Sequence, residues 1–492
     1  MWWEGFLVAT QGYNLLYLLS GTVVGLIIGA LPGLGPLFAV ALMLPLTFGM
    51  PAVSAIILLA AVHASTAYGD SLASILINTP GGVGSVASCW DGFPMAQQGK
   101  AGMALGLSAA GSLFGGVIGW LSLVLISPVL TGLALKMGPA EYFMLALLAL
   151  SLLSLAAQGE TIKGLILGGI GLLLAFIGRD PITATQRFTM GNMYLQDGVP
   201  LVPVVVGLFA LSQAVILAES GGVIAQVRGT KGDVWQGVVG AFRRPLTLLR
   251  GGIIGILLGI MPALGLSTAN IVAYLAEKRA SREPETFGKG NVAGLLAPET
   301  AKNACIVGDL IPTFTLGIPG SSTTALFLAA LTLHGIQPGA EFFQAGSLSY
   351  AVFVGILLAQ FAFFVLGLLF AGYFARVVLL PNSLLVPLIV VLSFIGAYAM
   401  RHTLLDVLIT ILFGFVGYVL SKHRWPQACL VLGFVLGDIA ESNLQRALLI
   451  SGGSYLGVLA RPGALGIFMT MLVMLGWPYL AKLPGIIRTR EV

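Results

Sequence analysis

The sequence predicts an all-α polytopic membrane protein built from two homologous, inverted repeats, with broken or re-entrant helices and about 10–12 transmembrane helices. Of the 492 residues, 57% are hydrophobic and only 9% are charged, whereas about a quarter of the residues in a soluble globular chain are charged. Apolar stretches recur from end to end, and two pairs of motifs repeat at nearly constant spacing. This pattern excludes both a soluble protein and a single-span anchor.

The long apolar stretches are interpreted as spans because a helix needs about 20 mostly apolar residues to cross the hydrocarbon core. Examples are PAEYFMLALLALSLLSLAA, from Pro139 to Ala157, and VFVGILLAQFAFFVLGLLFAGYFA. The 66 glycines and 24 prolines indicate close helix contacts and interrupted helices, since freed backbone groups in a membrane must face protein or a cavity. The three cysteines lie far apart and indicate neither a disulfide framework nor a metal site.

The basic residues predict which loops are cytoplasmic. The most basic connection lies within residues 218–250, and the C-terminal tail is also basic. The positive-inside rule places both in the cytoplasm and explains the small net charge of +5 without nucleic acid. We therefore predict a first transmembrane repeat at 1–217, a cytoplasmic linker at 218–250, a second repeat at 251–481 and a cytoplasmic tail at 482–492.

A glycine ladder that ends in a proline occurs twice. GTVVGLIIGALPGLG, which begins at Gly21, matches GGIIGILLGIMPALG, which begins at Gly251, at a constant offset of 230 residues. The GxxxGxxxG spacing predicts close helix packing. Pro32 and Pro262 should then end the helix and leave backbone groups unpaired. A helix that starts after such a break presents free N–H groups and a positive dipole end, which attract a carboxylate.

A second motif pair again joins a helix breaker to small polar residues. GDSLASILINTPGG, from Gly69, matches GDLIPTFTLGIPGS, from Gly308, at an offset of 239 residues. Duplicated interruptions indicate a transporter with its site between the repeats. The alternatives are plain structural kinks and hydroxyls that bond only to their own backbone. The predicted substrate-binding residues are Gly33, Gly35, Asn78, Thr79, Gly81, Ala263, Gly265, Ser267, Pro319, Gly320, Ser321, Ser322 and Thr323, together with Lys302.

Ionisable residues inside apolar segments are functional hypotheses by default because they are costly in lipid. Asp70 and Asp309 occupy equivalent positions, and His63 and Lys302 precede them by seven residues, which places acid and base on one helix face. We predict that the aspartates bind a coupling cation, Na⁺ or H⁺, and that Lys302 offsets substrate charge, with no other cofactor. Internal salt bridges or helix caps are the alternative.

Two other classes of function compete with transport. An intramembrane enzyme could use Asp70 and Asp309 as an acid–base pair, although no GxSxG or HExxH motif accompanies them. A scaffold without transport activity would leave the duplicated helix breaks unexplained.

Further stretches extend the pattern over nearly the whole chain: GALPGLGPLFAVALMLPLTFGM, ILINTPGG, DGFPMAQQGKAGMALG, GRDPITATQRFTMG, APETAKNA, LIPTFTLGIPGSSTTA and VLGDIAESNLQRALLISGGSY. In these the chain resembles the large membrane subunit of the tripartite tricarboxylate transporters. The resemblance implies a secondary transporter of the bacterial inner membrane that works by cation symport. It also implies a small membrane subunit, a periplasmic solute-binding protein and an organic anion as substrate, such as citrate, another di- or tricarboxylate or an aromatic acid.

The chain departs from the usual pattern of that family at four ionisable positions. Asp70 and Asp309 stand where the family usually has small residues, Lys302 stands where it usually has asparagine, and Asp438 stands where it usually has proline. The resemblance therefore assigns no role to these four side chains.

Overall fold

The computed structural model of the chain describes residues 1–155, 160–180, 182–219, 234–261, 265–344, 346–370, 373, 377 and 380–480. In these ranges the chain is helical apart from loops and one short hairpin, in which β1 (Gly178–Arg179) pairs antiparallel with β2 (Gln186–Arg187). The predicted all-α architecture is confirmed.

The α-helices are of very unequal length, and many are interrupted. The first ten are α1 (Trp2–Ala9), α2 (Gly12–Ala30), α3 (Pro36–Met43), α4 (Ala52–Ile77), α5 (Val86–Gln97), α6 (Ala101–Ala134), α7 (Pro139–Leu155), α8 (Thr161–Ala175), α9 (Leu201–Val205) and α10 (Ser212–Glu219). The next are α11 (Val234–Phe242), α12 (Pro245–Ile260), α13 (Gly265–Ala280), α14 (Val292–Gly308), α15 (Leu310–Leu316), α16 (Ser322–Leu333), α17 (Ala340–Gln344) and α18 (Ser347–Leu369). The last are α19 (Asn382–Arg401), α20 (Leu404–Lys422), α21 (Gln427–Ile450), α22 (Tyr455–Leu459) and α23 (Pro462–Leu480). Short 3-10 turns cover Leu44–Thr47, Val83–Ser85, Met193–Asp197 and Pro284–Thr286, and a π-helical stretch covers Val206–Leu211.

Seven helices of the described chain are long and apolar enough to cross a membrane. They are Gly12–Ala30, Ala52–Ile77, Ala101–Ala134, Leu201–Glu219, Ser347–Leu369, Asn382–Arg401 and Leu404–Lys422. Shorter apolar helices stand beside them, as expected where spans are broken. The chain is therefore a multi-pass membrane protein, while the count of ten to twelve passes stays a prediction.

The two glycine ladders pack their helices backbone to backbone. A Cβ atom built on Gly21, Gly25 or Gly29 of α2 would lie 2.4–2.7 Å from the carbonyl oxygens of Leu58, Val62 and Thr66 in α4. On Gly251, Gly255 or Gly259 of α12 it would lie 2.2–2.7 Å from those of Ala297, Ala301 and Cys305 in α14. The predicted packing role of the ladders is confirmed. The equivalent contacts support the two-repeat prediction, and inversion of the repeats stays a prediction.

The chain divides into two compact units, and each draws on both predicted repeats. The first unit comprises residues 1–132 and 200–423, and the second comprises residues 133–199 and the described residues from 424 onwards. All the described candidate site residues belong to the first unit. The boundaries predicted at 217, 250 and 481 stay predictions, because parts of the linker and the whole tail lie outside the described residues.

The hairpin of the second unit is fastened to α21 by a polar cluster. Arg187 lies 3.2 Å from Asp180 and forms a two-armed hydrogen-bonded ion pair with Glu441. The backbone N–H of Thr183 and the side chain of Gln445 donate to Asp180 and hold the pKa of its carboxyl well below the usual value. The cluster therefore fixes the hairpin through charge-assisted bonds.

Replacing Arg187 with methionine is expected to speed proteolysis of the hairpin about tenfold, because two neighbouring carboxylates lose their shared cation. Limited digestion with thermolysin of the protein in nanodiscs measures the rate. Arg446→Met is the matched control, because Arg446 is an exposed arginine of α21. Equal cleavage rates in the two variants would contradict a fastening role for Arg187.

Candidate functional site

Both glycine ladders end in an interrupted helix. α2 ends at Ala30 and α3 begins at Pro36, so Pro32 lies in the break, as predicted. α12 ends at Ile260 and α13 begins at Gly265. Pro262 and Ala263 lie outside the described residues, so the prediction that Ala263 binds substrate stays a prediction. Gly33 (φ +82°) and Gly265 (φ +66°) adopt left-handed conformations that side chains disfavour.

The two Pro-Gly loops have the same backbone conformation. Asn78 caps the C-terminus of α4 at φ 56° and ψ 29°, and Gly317 caps that of α15 at φ 68° and ψ 24°. After Pro-Gly, Gly82 and Ser321 are extended, both with φ −145°, and each begins the next helical segment. The match extends the duplicated motif from sequence to geometry.

Each Pro-Gly loop folds onto the aspartate of its own half. A Cβ atom built on Gly81 would lie 2.5 Å from the Cα of Asp70. On Gly320 it would lie 2.6 Å from the carbonyl oxygen of Asp309 and 2.8 Å from its Cα. Only glycine fits at either place, so the loops predicted to hold substrate lie directly against the aspartates predicted to hold the cation.

The loops of the two halves also approach one another. The backbone N–H of Ala87, just after the first loop, donates to the side-chain oxygen of Asn270 in α13 at 2.7 Å. A Cβ atom built on Gly84 would lie 3.0 Å from Leu266, and α3 packs on α16. The helix that follows the break in each half therefore contacts the Pro-Gly loop region of the other half.

The predicted substrate residues differ in accessibility. Gly33, Asn78 and Thr79 are exposed, and the Thr79 hydroxyl bonds to the carbonyl of Ile77 at 3.3 Å. At the starts of α13 and α16, Gly265, Ser267, Ser321 and Ser322 are half-buried, and Thr323 is buried. The remaining residues are Gly35, which is half-buried, and Gly81, Pro319 and Gly320, which are buried. The half-buried serines keep part of their surface open to solvent, and substrate binding at all of these positions stays a prediction.

The ammonium group of Lys302 is buried and contacts three polar side chains of the protein. Its ammonium lies 2.7 Å from Asp70 and 3.2 Å from Glu299, and it also bonds to the Ser71 hydroxyl. A lysine has three N–H donors, and the side chains of Lys302, Asp70 and Glu299 are at most 1% exposed. The three contacts occupy the donors of Lys302, as the salt-bridge alternative expects, and the predicted roles of Lys302 in substrate binding and of Asp70 in cation binding stay predictions.

Glu299 belongs to the site and is absent from the sequence-based prediction. Its carboxylate accepts hydrogen bonds from four serine hydroxyls. The oxygen–oxygen distances are 2.7–3.4 Å for three of them, and the contact from Ser88 is shorter. The four hydroxyls belong to Ser71, Ser88, Ser108 and Ser112. Glu299 stands three residues before Lys302 in a buried helix that is mostly apolar, so the rule applied to Asp70 would have identified it.

His63 and Asp309 form a second buried pair. His63 Nε2 lies 3.9 Å from Asp309 Oδ1, and the two side chains are 1% and 2% exposed. Each half therefore supplies the acid for the base of the other half, in the combinations Lys302 with Asp70 and His63 with Asp309. The aspartates have separate partners, so the intramembrane-enzyme alternative is not supported.

Asp91 is another polar residue that joins distant segments. Its Oδ1 accepts the backbone N–H groups of Gly288, Gly290 and Asn291 at 2.7–3.0 Å. These residues precede α14, which carries Glu299 and Lys302. Asp91 therefore helps to position the helix that carries the buried charges.

The chain has seven apolar helices long enough to span a membrane, and its interrupted helices lie against buried charges. This combination is typical of a membrane transport protein. The match to a family model specifies this class further. The chain belongs to the tripartite tricarboxylate transporter TctA family, whose model matches residues 15–432. The predicted family is thus confirmed, and membership of a tripartite system implies partner subunits.

Two proteins of Agrobacterium vitis are similar to this chain. One is described as an uncharacterized 52.8 kDa protein in the TAR-I ttuC' 3' region; it is 34% identical over 490 residues, which are 99% of this chain and 97% of that protein. The other, an uncharacterized protein in the TAR-II ttuC' 3' region, is 34% identical over 238 residues, which are 48% of this chain and 97% of that protein.

Proposed function

We propose that this chain is the membrane-embedded subunit of a secondary transporter that takes up small organic carboxylates by cation symport, with delivery by a periplasmic solute-binding protein. The small membrane subunit and this binding protein are its proposed partners in the bacterial inner membrane. The observation that carries the proposal is that the helix after the break in each half contacts the Pro-Gly loop region of the other half. These contacts bring half-buried serines and helix starts close to the buried charges.

The starts of α13 and α16 are suited to a carboxylate. The first N–H groups of a helix lack partners within it, and its positive dipole end favours an anion. Ser267 and Ser322 lie in the first turns of α13 and α16 and are half-buried. Their hydroxyls can donate to carboxylate oxygens without a fixed positive charge nearby. Ligands then shift the equilibrium between the two faces through their differential affinity for the two states.

The reconstituted system tests this function as a whole. Proteoliposomes with this chain and its small membrane partner should accumulate a radiolabelled carboxylate only when the binding protein and a cation gradient are both present. Citrate, succinate and benzoate represent the three chemical classes, and a ligand screen on the binding protein selects the solute. Accumulation without the binding protein or without any gradient would refute the proposal.

The double variant Ser267→Ala with Ser322→Ala is expected to raise the KM for uptake at least about a hundredfold, since each of the two lost hydrogen bonds to a charged group is worth about 1.5–3 kcal/mol. Initial uptake rates over a range of concentrations of loaded binding protein give the KM. Ser20→Ala is the control, because Ser20 is exposed on α2 and bonds only to the carbonyl of Tyr17 among the described residues. An unchanged KM in the double variant would place the substrate elsewhere.

A further inference from the structure

We propose that the coupling cation is a proton and that it binds at the buried pair His63–Asp309. The inference rests on the proposed function for its role in transport, while the site itself follows from the geometry of the pair. Asp70, the equivalent aspartate, already has the ammonium of Lys302 at 2.7 Å. Of the two aspartates, Asp309 is therefore the one without a lysine or arginine beside it among the described residues.

The polar atoms of the pair lack well-formed hydrogen bonds, although the Ser321 side chain faces Asp309. Both carboxylate oxygens of Asp309 and both ring nitrogens of His63 are buried without a hydrogen-bond partner among the described residues. The closest nitrogen–oxygen separation of the pair, 3.9 Å, exceeds hydrogen-bond distance. Buried polar groups are almost always satisfied because leaving them bare is costly. Neutral His63 already carries one ring N–H, and one added proton gives the pair a second donor, either on the other ring nitrogen or on the carboxyl of Asp309. A small approach of the two side chains then completes a charge-assisted or carboxyl–imidazole hydrogen bond.

The surroundings favour a proton over a metal cation. The titratable groups that face Asp309 from the described elements are His63 of α4 and Cys305 of α14. The other neighbours are uncharged: Gly259 of α12, Gly320 and Ser321 of the loop, Thr313 of α15 and, against His63, Phe327 of α16. Hard cations prefer several oxygen ligands, whereas the group that faces Asp309 Oδ1 across the pair is an imidazole nitrogen, which readily binds a proton.

The position of the pair couples the proton to the substrate. Gly320 packs against Asp309, and Ser321 and Ser322 follow at the start of α16, where the carboxylate is proposed to bind. Without the proton the pair carries one negative charge, which repels a carboxylate, and with it the pair is neutral. Binding of the proton and of the carboxylate therefore favour each other reciprocally, by about ten- to a hundredfold in affinity.

Titration of His63 tests the proton site without any substrate. The chain has four histidines, so in the full chain labelled with ¹⁵N-histidine in nanodiscs, His63→Gln assigns one resonance. We expect that resonance to report proton binding in the unmodified protein, to respond identically in Na⁺ and K⁺, and to respond differently in Asp309→Asn. A response to the exchange of K⁺ for Na⁺ in the unmodified protein, or an unaltered titration in Asp309→Asn, overturns the proposal.

Transport in the reconstituted three-component system tests the coupling. With citrate, succinate and benzoate as probes, a pH gradient should drive accumulation and a Na⁺ gradient should not. Asp309→Asn and His63→Gln should lower gradient-driven accumulation at least tenfold relative to the same amount of folded unmodified protein. The matched controls are Asp197→Asn and His423→Gln, both at exposed positions. Accumulation driven by Na⁺ overturns the proton site. Absence of accumulation with every probe refutes the proposed function, and the His63 titration then still decides the proton site.

Discussion

Replacing Lys302 with methionine is expected to lower the free energy of unfolding by about 3–5 kcal/mol, because it leaves the buried carboxylates of Asp70 and Glu299 without their cation. That loss is a large fraction of the roughly 5–15 kcal/mol that stabilises a typical domain. Thermal or denaturant unfolding in detergent, followed by size-exclusion chromatography, measures it. Lys289→Met is the matched control, since Lys289 is exposed and its loss should cost less than about 0.5 kcal/mol.

A second substitution separates loss of the cation from loss of packing. Asp70→Asn in the Lys302→Met background removes one of the two unpaired charges, so we expect it to recover part of the lost stability. The two substitutions should therefore be non-additive by about 0.5–3 kcal/mol. Simple addition of the two single losses would show that Lys302 and Asp70 do not stabilise each other.

The double variant Gly29→Ala with Gly259→Ala is expected to destabilise the protein by about 2–6 kcal/mol, at about 1–3 kcal/mol for each overpacked contact. The new Cβ atoms would lie 2.4 Å from the carbonyl of Thr66 and 2.6 Å from that of Cys305, both of which are backbone atoms. They would also lie 3.0 and 3.1 Å from the backbone nitrogens of Asp70 and Asp309. The variant therefore displaces both buried pairs together, and we expect the free energy of unfolding and the rate of uptake to fall in parallel.

The control for this variant has the opposite expected sign. A Cβ atom built on Gly132 or Gly169 meets no atom within 4 Å. Alanine there should raise stability by about 0.5–1 kcal/mol per site through helix propensity alone. If all four glycines responded alike to alanine, the close backbone contacts would have no energetic role.

The sequence predicts those parts of the site that depend on local chemistry. A proline with glycines close behind it cannot continue a helix, so the break around Pro32 follows from the residues themselves. The glycine ladders likewise predict their own packing, because residues without side chains are what close backbone contacts need. The loops after Asn78 and Gly317 have matching conformations because the same Pro-Gly motif occurs in both halves of the sequence.

The parts that the sequence does not predict depend on tertiary contacts. Spacing along one helix places His63 near Asp70 and Lys302 near Asp309, yet each base pairs with the acid of the other half. That choice is made by packing of α4 against α14, which no local pattern encodes. Asp91 shows the same limit, because its backbone partners lie about 200 residues further along the chain.

The buried pairs Asp70–Lys302 and His63–Asp309 each join an acid of one half to a base of the other half, so the former can form only after the second half has begun to be synthesised. Asp70 and Lys302 are separated by 232 positions, which ribosomes need roughly 10–50 s to translate at about 5–20 residues per second. During that interval the nascent first half holds a carboxyl group at membrane depth, where a bound proton is the least costly way to neutralise it. Arrival of Lys302 as an ammonium then displaces this proton, so the interior of the first half is completed only after translation of the second half has begun.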